Sequence, residues 1–348
     1  MRIAARRLLV RLSLSLAVAG GFVWWIGNQG IDIIPPAAAF AGVSAWAIPL
    51  YVLTLAAVHF LRAYRWIYLL RPVADVPVAR MLPVAFVGFL AILVLPLRMG
   101  ELARPYFIKR HAGVSMSAAL GTIAIERVID GLLVSFWLTL CLFGVSPEAG
   151  PYVWPLRVLP LGLFVGALAA LIALLVKGEA AAALAERLCG RVSTRLAATA
   201  GHVLRGFSRG LSALPDRGAL VRFVGMSVAY WSINAAGVLL LARGCGLPLE
   251  PLGAVATMAI AAVGILLPSG PGFFGNFQAG VLVALGLYLP LGEIGDRVSV
   301  FIFVLYLCQV AFTLLIGLGS AAAGRLSLRD LASPDLSRVA ADDCTEWT

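Results

Sequence analysis

Charge is scarce in this sequence. Of its 348 residues only 13% are Asp, Glu, Lys or Arg, against 61% apolar. A soluble domain carries about a quarter charged residues, so a soluble globular fold is excluded. The apolar runs are too long and continuous for barrel strands. Lipid-exposed backbone must then satisfy its own hydrogen bonds as helix. The five cysteines, at 141, 189, 245, 308 and 344, form no C-x-x-C, and His59, His111 and His202 stand far apart. No disulfide framework and no metal site is expected. The sequence has no G-x-x-x-x-G-K-[ST], no H-E-x-x-H and no Ser-His-Asp arrangement, so neither a nucleotide-binding loop, nor hydrolytic chemistry, nor a cofactor is expected. The terminal "DDCTEWT" is not a prenylation box.

What is present is a series of apolar runs. Spans of about 20 residues can cross a bilayer, and candidates lie at 8–27, 44–70, 116–144, 156–176, 219–243 and 296–323. The first imitates a signal peptide, but its hydrophobicity continues through Trp24 and Trp25, so a retained span is expected. Two shorter runs, 82–97 and 254–268, each end in Leu-Pro, and proline breaks a helix. They read as half-helices of re-entrant hairpins, with 272–290 the return arm of the second. The fold expected is an all-α integral membrane protein with six full transmembrane helices and two re-entrant broken-helix hairpins.

The net charge of +10 would suggest nucleic acid in a soluble chain. Here the basic residues lie between apolar spans and read as topology. With the N-terminus inside and six crossings, all but four of the 27 Lys and Arg fall on the inner side or at its edge. The exceptions are Arg157, Arg243 and Arg297 outside and Arg127 within a span. By the positive-inside rule both termini are cytoplasmic, in a bacterial-type inner membrane. Residues 1–330 form one polytopic domain, and 331–348 a loose polar tail. Segment 177–218 reads as an amphipathic helix lying on the cytoplasmic surface, its arginines among anionic head groups.

"LPLRMG" at 95–100 matches "LPSGPG" at 267–272, aligning Pro96 with Pro268 and Gly100 with Gly272. The same 172-residue offset aligns Arg71 with Arg243, span 44–70 with 216–242, and half-helix 82–97 with 254–269. Repeat one covers about 1–150 and repeat two about 151–325. The hairpins enter from opposite sides, so the repeat is inverted. Paired broken helices in inverted repeats mark a transporter's substrate site near the midplane. Pro96, Gly100, Pro268, Gly270 and Gly272 are the break residues.

Two charged clusters stand out. In "AIERVIDG", Glu126 lies roughly 15 Å into a helix starting near 116, close to the bilayer centre. Glu126 and Asp130 share a face, and Arg127 and Asp130 are three apart. Ionisable groups at that depth must face protein or a water-filled cavity. One reading is a purely architectural ion network, Arg127 with Asp130 and Glu126 with Arg98. The other adds a head-group or proton site. The second cluster, Arg98, Glu101 and Arg104, sits at the first break. Arginine's planar fork suits phosphate there, although Arg104, Lys109 and Arg110 could equally snorkel at the cytoplasmic edge. The second break has no charge, but Ser269, Asn276 and Gln278 can bond a polar group. A charged inner break and a neutral outer one suit an anionic head group drawn from one leaflet.

"LPLRMGELARPYFIKRHAGVSMSAALGTIAIERVIDGLLV", with "LPSGPGFFGNFQAG" downstream, resembles the transmembrane region of lysylphosphatidylglycerol synthases and the flippase-like proteins that share it. The resemblance implies movement of a lipid between leaflets. In the bifunctional synthases a separate soluble domain makes the aminoacylated lipid. These 348 residues leave no room for it, so transport without synthase activity is expected. The expected cargo is an anionic or aminoacylated phospholipid or a polyprenyl-linked lipid. Arg98 and Arg104 would meet its phosphate. Glu126 and Asp130 would meet an amine or relay protons, with Arg127 holding them. An integral-membrane glycosyltransferase using a lipid-linked sugar and a non-transporting scaffold for a lipid-modifying enzyme stay open as alternatives. As partners, a homo-oligomer and a lipid-modifying enzyme also stay open.

The topology can be tested with Arg110→Cys and Glu250→Cys. A membrane-impermeant thiol reagent should label position 110 from the inside and position 250 from the outside. Labelling of 110 from outside would collapse the inverted arrangement.

Overall fold

In the computed structural model the described residues are 17–28, 30–95, 100–143, 153–191, 216–267, 270–290 and 295–324, with single positions among 13, 145, 193–194, 197–198, 201, 204–205, 208 and 326. No strand occurs among them. The helices are α1 (Ala17–Gly27), α2 (Ala47–Tyr64), α3 (Ile67–Leu70), α4 (Val78–Val94), α5 (Ala103–Ala112), α6 (Met116–Leu142), α7 (Val153–Gly190), α8 (Arg217–Gly244), α9 (Pro251–Gly264), α10 (Asn276–Gly286) and α11 (Gly295–Ala323). Pro96, Arg98, Pro268, Ser269 and the tail 331–348 lie outside the described residues.

The described part of each expected span is largely helical, residues 17–27 for the first. Among the described residues four are long and apolar enough to cross a membrane: α2 with α3, α7, α8 and α11. The chain is a multi-pass helical membrane protein. Helix α6 has 27 residues, about 40 Å at 1.5 Å per residue. It carries Glu126, Arg127 and Asp130 near its middle. Its start is set by Ser115, whose Oγ accepts from the Ala118 N–H at 3.2 Å, an ordinary N-cap.

The surface segment expected from 177 is continuous with a span. Helix α7 runs on to Gly190, with one non-helical residue at Lys177 (φ −124°, ψ 31°). The alanine-rich "EAAAALAERL" beyond it favours helix strongly enough to extend the rod past the membrane edge. The Arg205 guanidinium ties this extension to the following stretch through Glu186 at 2.7 Å and Glu179 at 3.3 Å. Within the span, α7 leans on α6 alone among its main contacts, and only 6% of its most apolar window is buried.

The 172-residue offset relates helices that pack in comparable ways. Helices α2 and α8, paired by the 172-residue offset, lie against each other and run antiparallel. The Ser44 N–H donates to the Gly244 carbonyl at 2.8 Å, while Arg65 at the far end of α2 bonds Ser227 near the start of α8. Under the same offset, α4 against α11 corresponds to α9 against α6, and α4–α5 to α9–α10; all four contacts exist. The apolar core is divided accordingly. One cluster joins the end of α3 to α4, α5 and the start of α6. The other joins the start of α2 to the end of α6, α9 and α10. The two short-helix pairs thus occupy opposite poles, and Pro271–Phe273, at the turn of the second, reaches α4.

Both turns depend on close backbone approach. A Cβ on Gly100 would stand 2.1 to 2.2 Å from the Ala91 carbonyl group and the Ile92 nitrogen, so α5 could not fold back against α4. Gly272 has φ +74°, and its neighbour Phe273 shares the left-handed region at φ 57°. Gly100→Ala should therefore lower stability by about 1–3 kcal/mol, the usual range for overpacking. Thermal unfolding of the purified protein checks this, and an unchanged midpoint would contradict the tight α4–α5 turn.

Candidate functional site

The two carboxylates of α6 are enclosed by the fold. Glu126 is 0% exposed and Asp130 6%. An unpaired ion in hydrocarbon costs several kcal/mol, so each needs a partner delivered by another helix. Helix α5 brings Arg104, itself 1% exposed. Its Nη1 donates to Glu126 Oε2 at 2.9 Å and its Nη2 to Oε1 at 3.1 Å. This two-pronged fit is what a guanidinium makes with a carboxylate. Space for the Arg104 stem comes from Gly88 of α4, where a Cβ would lie 2.2 Å from Arg104 Cγ.

Asp130 receives a second fork. Arg65, at the end of α2 and 0% exposed, donates Nη1 to Oδ1 at 2.7 Å and Nη2 to Oδ2 at 2.6 Å. Arg65 Nη2 also stands 3.5 Å from Glu126 Oε1, and Nη1 donates to Ser227 of α8. Its guanidinium lies over the rings of Phe223 at 4.8 Å and Tyr230 at 4.6 Å. Arg127 completes the group, donating to Glu126 Oε1 at 2.8 Å with about a quarter of its side chain exposed. The Arg104 guanidinium lies 5.0 Å from the Trp66 ring, and Trp66 Nε1 donates to Thr122 at 3.1 Å. Five helices thus meet at one ion cluster.

This arrangement revises the pairing expected from sequence. Asp130 pairs with Arg65, not Arg127, and among the described residues Glu126 pairs with Arg104, Arg127 and Arg65. Arg104 is enclosed and does not snorkel. Arg62 and Arg65, counted among the inner-edge charges, belong to α2, and Arg65 faces the cluster. The signal for them is the arginine pair at i, i+3 inside "HFLRAYRWIYLL", where apolar residues resume beyond both. Glu101 lies half-buried in the single turn 100–102, within electrostatic reach of Arg127.

The second break is built differently. Asn276 Nδ2 donates to the Gly264 and Leu267 carbonyls at 3.4 and 3.3 Å. Gln278 Oε1 accepts from the Gly275 N–H at 2.8 Å. Both side chains seal helix ends, satisfying groups that a break leaves open. Gly270 is extended beside the turn. The offset equates Arg104 with Asn276, Arg65 with Gly237, Glu126 with Val298 and Asp130 with Ile302, so the ion cluster is confined to one repeat. Among the described residues no group of His, Cys, Asp and Glu could hold a metal.

Breaking one fork should be costly. Arg65→Met leaves the Asp130 carboxylate buried without its partner, an expected loss of about 3–5 kcal/mol. The double variant Arg65→Met/Asp130→Leu should recover much of it. Unfolding of the two in one detergent makes the comparison, and a double variant no better than the single would exclude a direct pair.

Searches of curated proteins and of solved structures give no match. The family model described as "Lysylphosphatidylglycerol synthase TM region" matches residues 12–323, a stretch holding both turns, the antiparallel α2–α8 pair and every member of the ion cluster. The chain belongs to the lysylphosphatidylglycerol synthase transmembrane-region family.

Proposed function

We propose that this protein is a lipid flippase or transporter of the inner membrane, carrying an anionic or aminoacylated phospholipid or a polyprenyl-linked lipid between leaflets. The observation that carries this reading is the enclosed cluster of Arg65, Arg104, Glu126, Arg127 and Asp130, set beside a broken-helix turn inside a hydrocarbon-spanning fold. A cluster serving packing alone could be replaced by apolar residues at little cost. One that receives a polar head group must keep its charges, and must be reachable, as Arg127 is.

The arrangement we infer has six crossings, α1, α2–α3, α6, α7, α8 and α11, with α4–α5 and α9–α10 as re-entrant hairpins. Helices α4 and α9 have 17 and 14 residues, about 26 and 21 Å, short of the roughly 30 Å hydrocarbon core. Their position at opposite poles, with the second turn reaching α4, supports entry from opposite faces. Both termini then lie on the cytoplasmic side. Arg127, the partly exposed guanidinium of the cluster, would meet the head-group phosphate, and the Arg65 and Arg104 forks on Asp130 and Glu126 would position it. The family's membership in membrane lipid biology supports transport rather than a soluble cargo.

Reconstitution tests the reading. In vesicles carrying a fluorescent phosphatidylglycerol, the protein should accelerate leaflet exchange at least about tenfold over protein-free vesicles, the scale of one charge-assisted hydrogen bond. Glu126→Gln, with folding verified by gel filtration, should return the rate to background. Equal rates with and without wild-type protein, across phosphatidylglycerol, aminoacylated and polyprenyl-phosphate lipids, would refute transport.

A further inference from the structure

The ion cluster contains one guanidinium more than its carboxylates employ. Arg62 lies on α2, one turn before Arg65, and its guanidinium carbon sits 4.6 Å from the centre of the Phe89 ring. Arg104 lies over the same ring at 5.7 Å. Arg62 is within electrostatic reach of Arg127, Glu126 and Asp130. Among the described residues no carboxylate is bridged to it, and its buried Nε has no hydrogen-bond partner. Both oxygens of Asp130 are taken by Arg65, and both of Glu126 by Arg104 and Arg127. Counting Arg62, Arg65, Arg104 and Arg127 against Glu126 and Asp130, the centre is positive, and it stays positive when Glu101 is included.

Arg62 is half-buried with its Nε enclosed, and a surplus cation partly withdrawn from water is costly when alone. The contact with Phe89 offsets only part of that, since a ring face supplies no counter-charge. An arriving anion would supply it. We propose that Arg62, with Arg127 beside it, is the anion-binding element of this protein, taking a phosphate group of net negative charge. Arg65 and Arg104 are committed to the carboxylates and position the centre. Arg127 spans both tasks: it donates to Glu126 and keeps about a quarter of its side chain exposed. A phosphodiester head group without an amine offsets one of the surplus positive charges. A zwitterionic head group would bring a further cation into a positive enclosure and is disfavoured. This rests on the lipid-transport reading for the origin of the ligand, but the binding itself can be tested without transport.

The experiment uses the full chain in nanodiscs of phosphatidylcholine with and without phosphatidylglycerol, and in phosphatidylcholine with added inorganic phosphate. Thermal unfolding is the readout. Phosphatidylglycerol should raise the midpoint of the wild-type protein. Arg62→Met keeps the apolar stem and removes the charge. It should be at least as stable as wild type in pure phosphatidylcholine, because a surplus cation is gone. It should also require about tenfold more phosphatidylglycerol for the same shift, the scale of a charged hydrogen bond. Arg62→Lys should retain part of the response. Stabilisation by inorganic phosphate that Arg62→Met abolishes would assign the site to a free phosphate rather than a head group. A full phosphatidylglycerol response in Arg62→Met, or a marked loss of its stability in phosphatidylcholine, would overturn the proposal. Arg62-dependent binding without leaflet exchange would leave the site standing and remove only the flippase reading.

Discussion

Enclosing ions is the constraint on which the rest of the structure depends. Glu126 and Asp130 sit midway along a helix in a largely apolar chain and are buried by the fold, where an unpaired carboxylate is costly. Each must receive a guanidinium from a different part of the sequence. That requirement brings the end of α2, the start of α5, and the first half of α8 against α6. Gly88 and Gly100 follow from it: the first clears room for the Arg104 stem, and the second lets α5 return along α4 so that Arg104 reaches Glu126.

The two core clusters are organised around this constraint. Helix association in lipid cannot rely on the hydrophobic effect, because the tails are as apolar as the side chains. Close packing and directional polar contacts must hold the helices together. At the pole containing α4 and α5 the forks of Arg65 and Arg104 supply direction. At the opposite pole no ion pair occurs among the described residues, and the work falls to backbone proximity between α9 and α10, with Asn276 and Gln278 sealing the open helix ends.

Much of the scaffold was legible in the sequence because it rests on run length and on proline. The spans at 116–144 and 219–243 correspond to α6 and α8, and the expected edge at 177 coincides with the non-helical Lys177. The 172-residue offset aligned α2 with α8 before their antiparallel contact was apparent. The ion pairing was less legible. Spacing along one helix shows which residues share a face, but not which other helix supplies the partner, so Arg127 stood in for Arg65. Charge counting read Arg62 and Arg65 only as a border, for a related reason: an arginine near the end of a span reads as a border whether it points to water or inward. The polar groups of the second break were legible as residue types, yet their bonds to the backbone depend on a turn geometry that composition does not encode.

The duplication is symmetric in its helices and asymmetric in its charge. Where the first repeat has Arg104, the second has Asn276; where it has Glu126 and Asp130, the second has Val298 and Ile302. The carboxylates and their forks belong to one half, and the matching positions of the other are uncharged. The halves are therefore not electrically interchangeable: exchanging one for the other would keep the helices and lose the ions.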